Sequence, residues 1–301
     1  MKKVTRLLER LTTEQRNNKT QNLDEMTTKE ILQVMNEEDK TVAIAVSKEL
    51  TQIEKLVQKV IASFRQGGRL IYMGAGTSGR LGILDAVECP PTFGTEKEMV
   101  QGLIAGGLEA FTNAVEGAED NEELAVRDLQ SIGLTEKDIV IGIAASGRTP
   151  YVISGLRYAK QIGAATGSIA CNKEAEMSKY ADISVEVETG PEILTGSTRL
   201  KAGTAQKMVL NMISTASMIG IGKVYKNLMV DVQATNVKLK ERAKRIIMQA
   251  ADVDAKTAER YYEAARGHVK TAIVMILLQC SYEEAEKRLQ KANGFVRRAL
   301  Q

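Results

Sequence analysis

Read along its hydrophobic and polar positions, the chain changes character twice. Residues 1 to about 25 are polar and follow no period, which describes an arm either mobile or packed on a neighbour. A helix start follows at Thr27-Thr28-Lys29-Glu30, where Thr27 can cap and Glu30 stands three residues on. A second helix is predicted from about residue 41 to 66, because Ile53, Leu56, Val57, Val60 and Ile61 recur at spacings of three and four. Gly67-Gly68 ends it.

From there short apolar runs alternate with helical stretches. Residues 69–73, 99–105, 138–144, 165–170 and 183–187 read as strands, and the first opens onto Gly74-Ala75-Gly76-Thr77-Ser78-Gly79 and a helix over 80–87. Continuous apolar strands separated by helices mean βαβ units and a parallel sheet covered on both faces. After about residue 222 the pattern is helical only, over 233–250, 254–266, 268–279 and 281–292, with start signals at Asp254 and Ser281-x-x-Glu284 and a break at Gly294. The expectation is an α/β fold with a doubly wound, mostly parallel sheet. Its parts are an N-terminal arm and helices (1–50), a sheet domain (51–222) and a small helical domain (223–301).

Composition then removes whole classes of chemistry. Of 301 residues, 44% are hydrophobic and 26% charged, enough for a sizeable core. The one histidine and three cysteines stand at no metal-ligand spacing, so neither a zinc site nor a disulfide framework is expected. A reduced, cytoplasmic protein fits that usage. Aromatic residues at 4% and a net charge of +3, with both signs interspersed, leave no surface for nucleic acid. The basic start Lys2-Lys3 runs into Glu9-Arg10 rather than an apolar stretch, and the longest apolar run, 272–278, is too short to span a membrane.

Three loops carry candidate chemistry. Residues 74–79 match G-x-G-x-x-G, but Glu96 and Glu98 precede the next strand, where a dinucleotide site needs an acid after it, and no Gly-Lys-Ser/Thr follows. Gly76, Thr77 and Ser78 at a helix start suit a phosphate monoester instead. Ala145-Ser146-Gly147-Arg148-Thr149-Pro150 repeats the design after the clearest strand, with Pro150 where a helix begins. The third loop, Gly190 through Thr204 with Glu192 and Ser197-Thr198-Arg199 in it, is either a lid or a helix N-terminus that needs capping.

These loops together resemble the sugar isomerase (SIS) domain that binds phosphosugars. The stretches GTSGRLGILDAVECPP (76–91), AVEGAED (114–120), TGSTRLKAGTAQK (195–207) and NLMVDVQATN (227–236) resemble the N-acetylmuramic acid 6-phosphate etherases, and the likeness covers almost the whole chain. It implies a cytoplasmic lyase without cofactor or metal. In the ring-opened sugar the C2 proton is acidified by the C1 carbonyl, so the D-lactyl ether at C3 can leave by elimination and water can then add. That needs one base and one acid. The resemblance maps these onto Glu88 and Glu119.

Glu88 is expected at a helix C-terminus, which disfavours negative charge and suits a proton donor; Glu119 is expected to serve C2. The charge pattern by itself does not choose among Glu116, Glu119 and Asp120. Gly76, Thr77, Ser78, Ser146, Gly147, Arg148, Thr149, Glu192, Ser197, Thr198 and Arg199 are expected to hold the substrate, with Arg148 and Arg199 as candidates for the lactyl carboxylate. Cys89 is read as a core residue and His268 as helix-terminal or interfacial. A homodimer whose partner completes each site is expected. The alternatives are a sugar phosphate isomerase, which also removes a C2 proton, and a sugar-phosphate sensor, for which the glutamates would be dispensable.

Overall fold

The computed structural model describes residues 11–113, 115–232 and 237–301. The first ten residues of the polar arm, Ala114 of the AVEGAED stretch and the 233–236 end of NLMVDVQATN fall outside them.

Capping and amphipathicity build the N-terminal helices as the pattern predicts. Helix α1 (Thr28–Ser47) starts on a complete capping box: the Thr27 side chain accepts the Glu30 N–H, and Glu30 returns a bond to the Thr27 N–H. The helix predicted over 41–66 is in fact two. Helix α1 takes the first part and α2 (Leu50–Arg65) the rest, with Ile53, Leu56, Val57, Val60 and Ile61 buried. No Gly or Pro marks the break. It falls where Glu49 is buried and paired with Lys173, a tertiary contact that local sequence does not announce.

Strands β1 (Leu70–Gly74), β2 (Val100–Ile104), β3 (Ile139–Ile143), β4 (Ala165–Ala170) and β5 (Ile183–Glu186) form one parallel sheet in the order β2-β1-β3-β4-β5. Each lies within two residues of its expected position. Between them come α3 (Gly76–Phe93), a single turn α4 (Glu109–Thr112), α5 (Glu122–Ser131) and α6 (Pro150–Ile162), and after β5 comes α7 (Lys201–Gly220). Every residue of β1 and β3 is buried, which requires cover on both faces. Ile71, Met73 and Val140 pack with Leu129 of α5 and with Val152 and Leu156 of α6. A Cβ on Gly167 would meet Leu56 of α2, and one on Gly82 of α3 would meet Tyr72, so α2 and α3 cover the opposite face.

The arm is packed, not mobile, from residue 11 onward. It folds into 3-10 turns Thr12–Glu14, Asn18–Thr20 and Leu23–Glu25. Thr20 donates to the Ile193 carbonyl at 2.8 Å, and Thr12 donates to Asn172 Oδ1 at 3.0 Å.

The chain divides into two compact units. One runs up to Ala86 and includes Glu98–Ser214; the other comprises Val87–Lys97 and Thr215–Gln301. In the second unit α8 (Val237–Ala251), α9 (Ala255–Ala264), α10 (Val269–Leu278), α11 (Tyr282–Lys291) and α12 (Val296–Ala299) share a core that includes Ile247, Tyr262, Ile273 and Val296. A hairpin of two-residue strands, β6 (Val224–Tyr225) and β7 (Leu228–Met229), precedes them. Strands that short carry no period to read. Among the described residues no helix is long and apolar enough to cross a membrane.

Candidate active site

The strand order reverses between β1 and β3, whose last residues Gly74 and Ile143 pair in register. Such a switch point opens a crevice outside the carboxyl ends of the two strands, where open α/β sheets take ligands. Residues 75–79 leave β1 and residues 144–149 leave β3, so both loops singled out from the sequence lie at that crevice.

In the first loop Gly76 begins α3 with a left-handed φ of 51° and is exposed; Thr77 is half-buried. The opening N–H groups of α3 have no partner within the helix and carry its positive end. The expected role of the Ser78 hydroxyl needs correction. Ser78 is buried, and its Oγ donates to Gln206 Oε1 of α7 at 2.9 Å, so the hydroxyl proton serves helix packing and only the Ser78 backbone N–H remains for a ligand.

The second loop is held from several sides. Asn172 Nδ2 donates to the Ala145 carbonyl and to Thr13 Oγ1, each at 3.0 Å. Ser146 Oγ accepts the Arg148 N–H at 3.3 Å and keeps its own proton to give. Thr149 occupies the N-cap of α6 without spending its side chain on the cap, and Pro150 follows at the first helical position. Arg148 Nε is buried with no hydrogen-bond partner among the described residues. Gly147 has a φ of 70°, and a Cβ there would stand 2.4 Å from the Ala175 Cβ. Gly147→Ala therefore combines left-handed strain with a core clash. We predict a loss of roughly 1–3 kcal/mol, read from the urea midpoint; an unchanged midpoint would contradict it.

A cleft of about 290 Å³ has Ala75 and Ala105, the residues following β1 and β2, in its wall, along with Gly76, Arg80, Glu116 and Glu119. Glu119 is exposed on a 3-10 turn, Ala118–Asp120, that starts from left-handed Gly117 and is anchored by buried Ala118. Of the three acids in that stretch, Glu116 and Glu119 reach the cleft and Asp120 does not line it. Ser146–Thr149 line no part of it.

Glu88 is exposed on α3, but the helix does not end at residue 87. It continues through Pro90 and Pro91 to Phe93, which puts Glu88 about one and a half turns before its end. The two prolines forfeit the helical bonds to the Ala86 and Val87 carbonyls, so the weakened turn lies beside Glu88 rather than beyond it. Cys89 is buried, a core residue as expected. His268 stands at the N-cap of α10 without using its side chain to cap.

Glu192 also needs correction. It is fully buried, and its two oxygens accept the N–H groups of Lys201 and Ala202, each at 2.9 Å. It therefore caps α7 at the positive end of the dipole, with each oxygen committed to one backbone N–H. Burial pushes its carboxyl up, against the lowering effect of those N–H groups. Ser197 and Thr198 are half-buried in the turn before α7. Arg199 is exposed and lines a separate cavity of about 160 Å³ with Glu192 and Lys201, and Arg148 is not in its wall. The sequence reading missed Arg80, Asn172, Lys201 and Gln206. Arg80, Lys201 and Gln206 lie inside the stretches that carry the family resemblance, and that was their only signal.

The description "Glucokinase regulatory protein N-terminal SIS domain" matches residues 52–160, and "SIS domain" matches residues 109–216. The chain is 92% identical over 295 residues to an N-acetylmuramic acid 6-phosphate etherase of Geobacillus sp., covering 98% of this chain and all of that one. It is 75% identical to the etherase of Geobacillus thermodenitrificans and 73% identical to that of Bacillus cereus, again over 98% of this chain and all of each relative. Among solved structures, a phosphoheptose isomerase from Francisella tularensis aligns over 64% of this chain and all of its own, at 13% identity and a TM-score of 0.49.

Proposed function

The chain belongs to the N-acetylmuramic acid 6-phosphate etherase family, and from that premise we propose that it cleaves the D-lactyl ether of N-acetylmuramic acid 6-phosphate, giving D-lactate and N-acetylglucosamine 6-phosphate. The observation that carries this reading is the 92% identity to an etherase across 98% of the chain. The crevice at the switch point, with hydroxyls and helix starts in both loops, supports a phosphosugar as the ligand.

In this reading residues 146–149 and the start of α6 hold the phosphate, through backbone N–H groups, the Ser146 and Thr149 hydroxyls and Arg148. Glu119 takes the C2 proton of the open-chain aldehyde, whose C1 carbonyl receives the charge. Glu88 gives a proton to the lactyl oxygen as the C3–O bond breaks. Water then adds at C3 of the unsaturated aldehyde and C2 is reprotonated, so the net reaction consumes one water. Both carboxylates are exposed, as groups that exchange protons with substrate and solvent must be.

We further propose a homodimer in which each site joins Glu119 of one protomer to Glu88 of its partner. A usage of three cysteines in 301 residues supports a reducing, cytoplasmic setting.

The test is to incubate the protein with N-acetylmuramic acid 6-phosphate in deuterated, oxygen-18-labelled water. Stoichiometric D-lactate is expected, with deuterium at C2 and oxygen-18 at C3 of the aminosugar product. Absence of lactate would sink the etherase reading and leave a sensor; an isomerised sugar without lactate would favour the isomerase.

A further inference from the structure

Arg80 follows Gly76 by four residues on α3, so both lie on one face of the helix, and both line the cleft that holds Glu119. Its guanidinium is fixed in place. Nε–H donates to the Phe111 carbonyl at 2.9 Å, and Nη2–H donates to the Asn113 carbonyl at 3.2 Å. A guanidinium carries five N–H donors, and these two bonds leave three, shared between the two Nη nitrogens. Among the described residues the bonds of Arg80 run to carbonyls, and no carboxylate is paired with it. The cleft thus presents an oriented cation with an open Nη edge, an arrangement matched to a carboxylate taken in two parallel hydrogen bonds.

We infer that Arg80 binds the carboxylate of the lactyl group and so selects the ether substrate over sugar phosphates that lack it. The inference rests on the etherase reading above. Two anionic groups of that substrate compete for the role. The phosphate, on C6, is assigned to the loop at 146–149, which lines no part of this cleft. The lactyl group is on C3, next to the C2 proton that Glu119 removes. Gly76 at the start of α3 lines this cleft too, so it is the nearness of C3 to the C2 proton taken by Glu119 that assigns the anion beside Arg80 to the lactyl carboxylate rather than to the phosphate. The carbonyl bonds from Phe111 and Asn113 hold the guanidinium plane before substrate arrives, which lowers the ordering cost of binding. Arg148 and Arg199, the candidates chosen from sequence, are released from this role.

The experiment compares two ligands on Arg80→Met and Arg80→Lys: kcat/KM for N-acetylmuramic acid 6-phosphate, and the inhibition constant of N-acetylglucosamine 6-phosphate, which has the phosphate but no lactyl group. For Arg80→Met, kcat/KM should fall roughly 10- to 100-fold, while the inhibition constant stays within about twofold. Arg80→Lys keeps the charge, loses the fork and should fall between, again selectively; it decides the matter if Arg80→Met does not fold. Equal weakening of both ligands would assign Arg80 to the phosphate or to loop structure and overturn the inference, as would an unchanged kcat/KM. Failure of the etherase reading itself is distinct, because the unsubstituted protein would then release no lactate.

Discussion

Glu119→Gln is expected to lower lactate release by roughly a hundred- to ten-thousand-fold, the range one positioned acid–base group contributes. Gln is close in shape and can still accept a hydrogen bond through its carbonyl oxygen, but it cannot take a proton. The turn that carries residue 119 is anchored by Ala118 rather than by the carboxylate, so the variant should fold with an unchanged circular dichroism melt. Glu88→Gln should cut lactate release to a similar extent. The two effects separate in the isotope pattern of the recovered substrate: the variant that lacks the glutamate serving C2 should show no deuterium at C2 of unreacted substrate, whereas the other variant should still exchange it.

Mixing the two inactive variants tests the shared site directly. If each site joins Glu119 of one protomer to Glu88 of its partner, a mixed dimer has one site with both glutamates and one with neither. Half of a randomised population is mixed, so roughly a quarter of the normal activity should return. A mixture that stays inactive after verified subunit exchange would place both glutamates in the same protomer.

The second large effect concerns stability. Lys201, the first residue of α7, is 3% exposed and reaches Glu38 of α1, itself 6% exposed, with Nζ 2.7 Å from Oε2. Lys19 and Asn17 of the arm add bonds of 2.8 and 3.1 Å to the same carboxylate. Burial pushes the Glu38 carboxyl up, but the hydrogen bonds from Lys19 and Lys201 outweigh it and hold the group at about 2. Lys201→Met removes the buried cation and strands much of that charge, for a predicted cost of roughly 3–5 kcal/mol at pH 7.

The sign of the pH dependence follows from the depressed carboxyl. Its contribution is fully present above the unfolded value of 4.5 and is lost as the pH falls towards about 2. Urea unfolding across pH 2–7 should therefore show the unsubstituted protein losing an acid-sensitive increment in that window. Lys201→Met, already weaker at pH 7, should lose less of it. A pH 7 midpoint that does not move would rule out a stabilising role for the pair.

The sheet was legible because each strand is a buried, nearly continuous apolar run, and the loops were legible because glycines and hydroxyls follow strands at fixed places. The break between α1 and α2 was not, because it falls at Glu49 with no Gly or Pro to mark it, and the partner of that residue, Lys173, lies 124 residues away. Glu192 shows the limit for sites. A lone acid in a hydroxyl-rich loop is compatible equally with a substrate ligand and a distant cap, and only the bonds to Lys201 and Ala202 decide. Arg80 was passed over for the complementary reason: a basic residue inside a helix gives no cue that a cleft opens beside it.

The fastening of the arm has a consequence for the order of events during synthesis. Residues 12–20 leave the ribosome well before their partners Asn172, Pro191 and Ile193. Closing a loop of that length costs entropy that a few hydrogen bonds repay only once β3, β4 and the 145–149 loop are formed. Residues 12–20 therefore settle late, after the elements they pack on, and they complete the wall behind the 145–149 loop through Asn172. Until Ile193 has been made, a nascent chain can hold a partly assembled sheet but not the fastened loop beside it.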